Sequence, residues 1–96
     1  MRIVWSPQAE NDLENVWRYI VQDSPRSADL VENRIIDAVS GLIDHPLQGR
    51  QTIGRETREL VVRKTSYLIV YRVWDTRVEI VRVWHTSRDP SRKLGA

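Results

Sequence analysis

From Arg58 onward the apolar residues of this chain stop recurring at helical spacing and begin to alternate. "RELVVR" (58–63), "YLIVYRV" (67–73) and "RVEIVRVW" (77–84) each read as a strand of period two. The breaks between them, Lys64-Thr65-Ser66 and Asp75-Thr76, are turn-like. With Asp75-Thr76 as a two-residue hairpin turn, Trp74 faces Arg77, Arg72 faces Glu79, Tyr71 faces Ile80 and Ile69 faces Arg82. The opposite charges at Arg72 and Glu79 support that register.

The register predicts a hairpin with two unlike faces. Leu68, Val70, Val81 and Val83 make an aliphatic face, closed by an Arg72–Glu79 pair, that suits packing under helices. Tyr67, Ile69, Tyr71, Val73, Val78, Ile80, Arg82 and Trp84 make the other face, aromatic with one cation among the rings. Left exposed, such a mixture marks a recognition surface; loops or an oligomer partner are the alternative cover.

The first half is helical. "RIVW" (2–5) is a short β-type run, and Ser6-Pro7 then gives an N-cap followed by a proline at the first helical position. Ala9, Leu13, Val16, Trp17 and Ile20 recur at helical spacing to near Asp23, with Glu10, Asp12 and Glu14 near the positive end of the macrodipole. Ser24-Pro25 repeats the start signal. A second helix carries Ala28, Val31, Ile35, Ala38, Val39 and Leu42 on one face and stops before "HPLQGR", because Pro46 disfavours helical geometry at His45. The short link between the helices predicts an antiparallel hairpin, and residues 46–57 read as a loop. The expected fold is α+β, in the order β-α-α-β-β-β, with an antiparallel sheet packed against a helical hairpin.

Ninety-six residues make one domain over 1–96, with the tail at 91–96 expected to fray. There is no cysteine, so neither a disulfide frame nor a cysteine zinc site can form. The sequence opens straight into folded-looking residues, without a signal peptide or a long apolar run. The expectation is a cytoplasmic chain, neither secreted nor membrane-spanning. Net charge is +2 but unevenly placed: residues 1–54 hold five basic and eight acidic residues, residues 55–96 ten basic and five acidic. Thirteen of the fifteen cations are arginine, the residue suited to bidentate phosphate or carboxylate contacts. A basic second half points to an anionic partner, with direct nucleic-acid contact one form of it; an ordinary solvated sheet edge is the bland alternative.

No glycine-rich phosphate loop and no metal-ligand spacing are present, so neither a metal nor a cofactor is expected. His45 precedes a proline and reads as a turn residue. The remaining candidates are Arg63, Lys64, Tyr67, Arg82, Trp84, His85 and Arg88. A metal-free ribonuclease needs a base for the 2′-OH, cations for the developing phosphorane charge and an acid for the leaving oxygen. His85 fits base or acid, Arg82 and Arg88 fit a phosphate clamp, and Tyr67 fits stacking on a base.

"WSPQAENDL", "HPLQGR", "TRELVVRKTSYLIVYRV" and "VEIVRVWHTSRDP" together resemble the RelE/ParE toxins of type II toxin–antitoxin systems. The resemblance implies the fold expected above. In its RelE branch, ribosome-dependent mRNA endoribonucleases, it places two lysines where this chain has Glu59 and Val61 and an arginine where it has Leu68. The arginine after the last strand corresponds to Arg88. A related ribonuclease branch ends in a histidine near the place of His85 but again wants the arginine at Leu68. The ParE branch lacks this set. The resemblance to it implies inhibition of DNA gyrase by binding rather than catalysis, a role in plasmid stabilisation, and a cognate ParD-like antitoxin that folds a flexible segment onto the toxin. Arg63, Lys64, Tyr67, Arg82, Trp84, His85 and Arg88 are then target-binding candidates. Apolar residues outside the core stripes, Trp5, Val21, Leu30 and Ile36, are candidates for the antitoxin. A toxin fold kept as a non-toxic binding module is the remaining alternative.

Overall fold

The computed structural model describes residues 1–54 and 56–87, so the expectations for Arg88 and for the tail lie outside the described residues. The elements are β1 (Arg2–Trp5), α1 (Pro7–Val21), α2 (Pro25–Ser40), β2 (Arg50–Gln51), β3 (Arg58–Val61), β4 (Tyr67–Val73) and β5 (Arg77–His85). Both helices start where the Ser-Pro pairs place them. The Ser6 side chain accepts the Ala9 N–H and that of Ser24 accepts the Ser27 N–H, each satisfying a donor the first turn leaves open. The first helix ends at Val21, two residues before Asp23, and the second ends at Ser40 in a run of turns.

The sheet order is β1-β5-β4-β3-β2. It is mixed, not wholly antiparallel: Arg2 to Trp5 of β1 pair in parallel with Arg77 to Ile80 of β5. The helical hairpin belongs to the long excursion between the two strands, and parallel pairing needs such a crossover. The 46–57 stretch is not all loop either. Arg50 and Gln51 pair with Glu59 and Arg58 and extend the sheet by one short strand.

The hairpin holds the expected register as far as Tyr71–Ile80, with the Trp74 N–H donating to the Arg77 carbonyl at 2.8 Å. A β-bulge then intervenes. Val70 pairs with Arg82, leaving Val81 as the extra residue, so Ile69 faces Val83 and not Arg82. One inserted residue reverses the sides of everything after it. Val83 thereby joins Val78 and Ile80 in the core.

That core corrects the assignment of faces. Tyr67, Ile69, Tyr71, Val78, Ile80 and Val83 pack with Val16, Ile35, Val39 and Leu42, so the helices cover the aromatic face. Leu68 and Val70 alternate onto the other side. Aromatic rings offer the most apolar area per residue, so covering that face removes the most surface from water. The Tyr71 hydroxyl that this buries is satisfied within the fold: it donates to the Pro46 carbonyl and accepts the Gly49 N–H, both at 2.8 Å. The expected Arg72–Glu79 pair keeps its register but is not an ion pair. Glu79 accepts the Trp74 indole N–H at 3.2 Å, and the Arg72 guanidinium lies over the same indole.

Candidate functional site

The turn between β3 and β4 and the end of β5 form one rim of the sheet. Thr65 closes the turn: its hydroxyl donates to the Val62 carbonyl at 2.9 Å and accepts the Tyr67 N–H at 3.1 Å. Lys64 sits at φ 62°, in the left-handed region that tight turns use. Arg34 of α2 donates to the Lys64 carbonyl at 3.0 Å, and the Thr86 N–H donates to the Ser66 carbonyl at 2.8 Å. These bonds leave the Arg63 and Lys64 side chains exposed at the same end of the sheet as His85.

His85 is half-buried and packs edge-on against Tyr67, its register partner, with ring centroids 5.3 Å apart. Its Nδ1 accepts the Ser87 N–H at 3.2 Å and lies 2.7 Å from the Ser87 hydroxyl. A ring nitrogen that accepts a backbone N–H has its lone pair engaged, so the neutral ring carries its proton on Nε2. Nε2–H is then a hydrogen-bond donor.

The other candidates are brought together only in part. Tyr67 is 6% exposed, so its ring is packed inside rather than presented to a nucleobase. Arg82 is held by Asp12 of α1, with Nε and Nη2 donating to the carboxylate at 2.7 and 2.9 Å, and its guanidinium carbon lies 5.3 Å from the Trp84 ring. The Asp12 carboxylate keeps the guanidinium pKa above its ordinary value. Asp12 was not among the sequence candidates. Its only local signal was its place near a helix start, and the contact it makes is seventy residues away.

Glu59, Val61 and Leu68 lie on the face of the sheet away from the helices. Val61, Leu68 and Trp84 form one cross-strand row. Leu68 is fully buried, and Glu59 is buried with Arg50 bonded to its carboxylate at 2.9 Å. Leu68 has no charge to offer a phosphate, and Glu59 is an anion.

Of the four apolar surface candidates, Trp5 and Ile36 meet. With Ile3, Leu13 and Val39 they line a groove of about 380 Å³ between the helices and β1, rimmed by Glu10 and Ser40. Leu30 is exposed and Val21 half-buried; neither lines it. Beside the groove, β1 is an edge strand of the sheet. Ile3 and Leu13 are not among the candidates for this role: Leu13 falls in the core stripe of its helix and Ile3 in the short β-type run. Among the described residues no cluster of His, Asp and Glu is arranged to hold a metal ion, and no helix is long and apolar enough to cross a membrane.

The fold and these surfaces can be set against known proteins. A family model described as the ParE toxin of type II toxin-antitoxin system, parDE, matches residues 3–90. A chain of Sinorhizobium fredii, Y4kP, is 39% identical over 91% of this chain and 90% of its own length. The toxin RelE2 of Caulobacter vibrioides is 38% identical over 91% of this chain and 97% of its own. Among solved structures, a chain from the chromosomal ParDE toxin–antitoxin system of P. aeruginosa has the same fold. It matches with a TM-score of 0.79 at 24% identity, covering 88% of this chain and 95% of that one. Two helices on a mixed five-stranded sheet are thus the fold of the RelE/ParE toxins. The chain belongs to the ParE toxin family of type II toxin–antitoxin systems and is a toxin of that kind.

Proposed function

We propose that this toxin acts by binding, not by cutting: it inhibits DNA gyrase, stalls replication, and is neutralised by a ParD-like antitoxin. One observation carries the choice. The positions that the nuclease branch fills with phosphate-binding cations hold a buried, ion-paired Glu59, an apolar Val61 and a fully buried Leu68. Neutralising a phosphorane needs positive charge aimed at it, and an acid with two aliphatic side chains supplies none. The engaged Nδ1 of His85 and the Asp12-bound Arg82 add to the case.

The groove lined by Trp5, Ile36, Leu13 and Val39 is the antitoxin's seat in this account. It is apolar, of a size to take several side chains, and edged by the open side of β1, so a flexible segment can add side-chain and main-chain contacts together.

Brief expression of the toxin in cells tests the target. DNA-damage signalling with intact mRNA is expected. The second reading, a ribosome-dependent endoribonuclease, is favoured by the 38% identity to a toxin named RelE2. It requires mRNA cuts that disappear in His85→Ala. Absence of any growth defect would instead favour a non-toxic binding module.

A further inference from the structure

The end of the open sheet face beyond the Trp74 turn holds three arginines from three strands. Arg2 of β1 is the register partner of Arg77 of β5, and Arg72 lies on β4. Ile3 and Trp5 pack on the core, as do Tyr71, Val73, Val78 and Ile80, so alternation turns Arg2, Arg72 and Arg77 away from the helices. Among the described residues none of the three makes an ion pair. Two acids lie nearby: Glu79, the register partner of Arg72, accepts the Trp74 indole N–H, and Asp75 makes no ion pair among the described residues. Like charges side by side on a sheet repel, and the buried Nε of Arg72 has no hydrogen-bond acceptor among the described residues. Three arginines against two carboxylates leave this end of the sheet net positive, and Arg72 keeps an unmet donor.

Its geometry is also fixed. The guanidinium carbons of Arg72 and Arg77 lie 5.3 and 4.7 Å from the centroid of the Trp74 ring. Stacking of both guanidiniums on one indole limits their rotamer freedom before any ligand arrives.

We infer that Arg2, Arg72 and Arg77 form a contact site for the phosphate backbone of duplex DNA. The planar fork of arginine matches phosphate oxygens two at a time. The indole between two of them is engaged by cations rather than offered to an unpaired base, so backbone contact is favoured over the stacking that single strands use. Such a site goes beyond the choice of gyrase as target. Its failure would leave gyrase inhibition standing, and the reverse also holds.

The test is fluorescence anisotropy of the purified full chain with a short labelled duplex across a salt series. Counterion release gives a slope of log affinity against log salt of about −0.9 per phosphate contact, so three contacts give about −2.7. Arg2→Gln should reduce the magnitude by about one, and Arg72→Gln combined with Arg77→Gln by about two. Arg2 is exposed and is not one of the two arginines stacked on Trp74, so its variant is expected to keep the fold; circular dichroism verifies this for all. Arg26→Gln, on the exposed start of α2, should leave the slope unchanged. A slope indifferent to Arg2→Gln, or equally sensitive to Arg26→Gln, overturns the assignment. So does tighter binding of single-stranded DNA that depends on Trp74. Failure to bind the duplex at low salt overturns it too, whether or not an acidic peptide binds the same arginines.

Discussion

The Asp12 carboxylate on α1 receives both the Nε–H and an Nη2–H of Arg82 on β5, at 2.7 and 2.9 Å, and the backbone N–H of Val83 at 2.9 Å. This cluster solves a local problem. β1 pairs with β5 only as far as Ile80, so among the described residues no strand lies beside the outer edge of β5 beyond that point. The start of α1 takes its place. The Ser6 N–H donates to the Ile80 carbonyl and its hydroxyl donates to the Val81 carbonyl, both at 2.9 Å, while Asp12 serves Val83. The bulge at Val81 and the helix N-terminus are thus fitted to each other.

Asp12→Ala should therefore destabilise the fold by roughly 2–3 kcal/mol, since it strands a buried N–H and an ordered guanidinium. The value sits below that of a fully buried pair because the Arg82 side chain is 38% exposed. Urea denaturation of Asp12→Ala, Arg82→Ala and the double variant measures it. The two single losses together should exceed the loss in the double variant, because they share one interaction.

Gly49 is confined by space, not by its backbone angle. A Cβ there would stand 2.6 Å from the Tyr71 hydroxyl and 2.9 Å from the Glu59 carbonyl. Gly49→Ala should cost about 1–3 kcal/mol by overpacking. Tyr71→Phe should cost a similar amount by leaving the Gly49 N–H and the Pro46 carbonyl without their partner. Thermal unfolding of both variants checks this, and the double variant should lose less than the two single losses together, because Phe removes the oxygen the new methyl meets.

Alkaline pH should weaken the fold through the same tyrosine. Burial pushes the Tyr71 hydroxyl above its ordinary value of 10.0, against smaller opposing effects from the Gly49 N–H and the Arg58 charge. The phenol ionises first in the unfolded chain. Stability is thus unaffected below about pH 10 and falls as pH rises from there toward the raised folded value. Tyr71→Phe should flatten that decline in a denaturation series, whatever its stability near neutrality.

The helix starts, four of the five strands and the upper half of the hairpin were legible because each rests on neighbours in the chain: Ser6-Pro7, Ser24-Pro25, and the tight turn at Asp75-Thr76. The bulge was not. Alternation through "EIVRVW" fits a regular strand, and what inserts Val81 is the fit to Ser6 and Asp12, far away in sequence. The covered face was missed because both faces of the hairpin are apolar, and period two does not say which one meets the helices. The parallel placing of "RIVW" has no local signal either. The groove was half legible: Trp5 and Ile36 stood out as spare apolar residues, whereas Leu13 was absorbed into a core stripe and Ile3 into a short strand.

The groove gives a prediction of its own. Ile36 is 40% exposed, so Ile36→Glu should fold normally yet oppose an apolar antitoxin segment beside Glu10. Calorimetric titration with the cognate antitoxin should show affinity reduced about 100-fold, and co-expressed antitoxin should fail to protect cells. Leu30→Glu, outside the groove, should change neither.

The most direct test of binding rather than cutting is a reconstituted one. Purified toxin is mixed with gyrase and supercoiled plasmid, and in parallel with ribosomes programmed with mRNA. Gyrase-dependent broken plasmid with the mRNA intact is the expected result. Cleaved mRNA that is lost in His85→Ala, with gyrase unaffected, would contradict it.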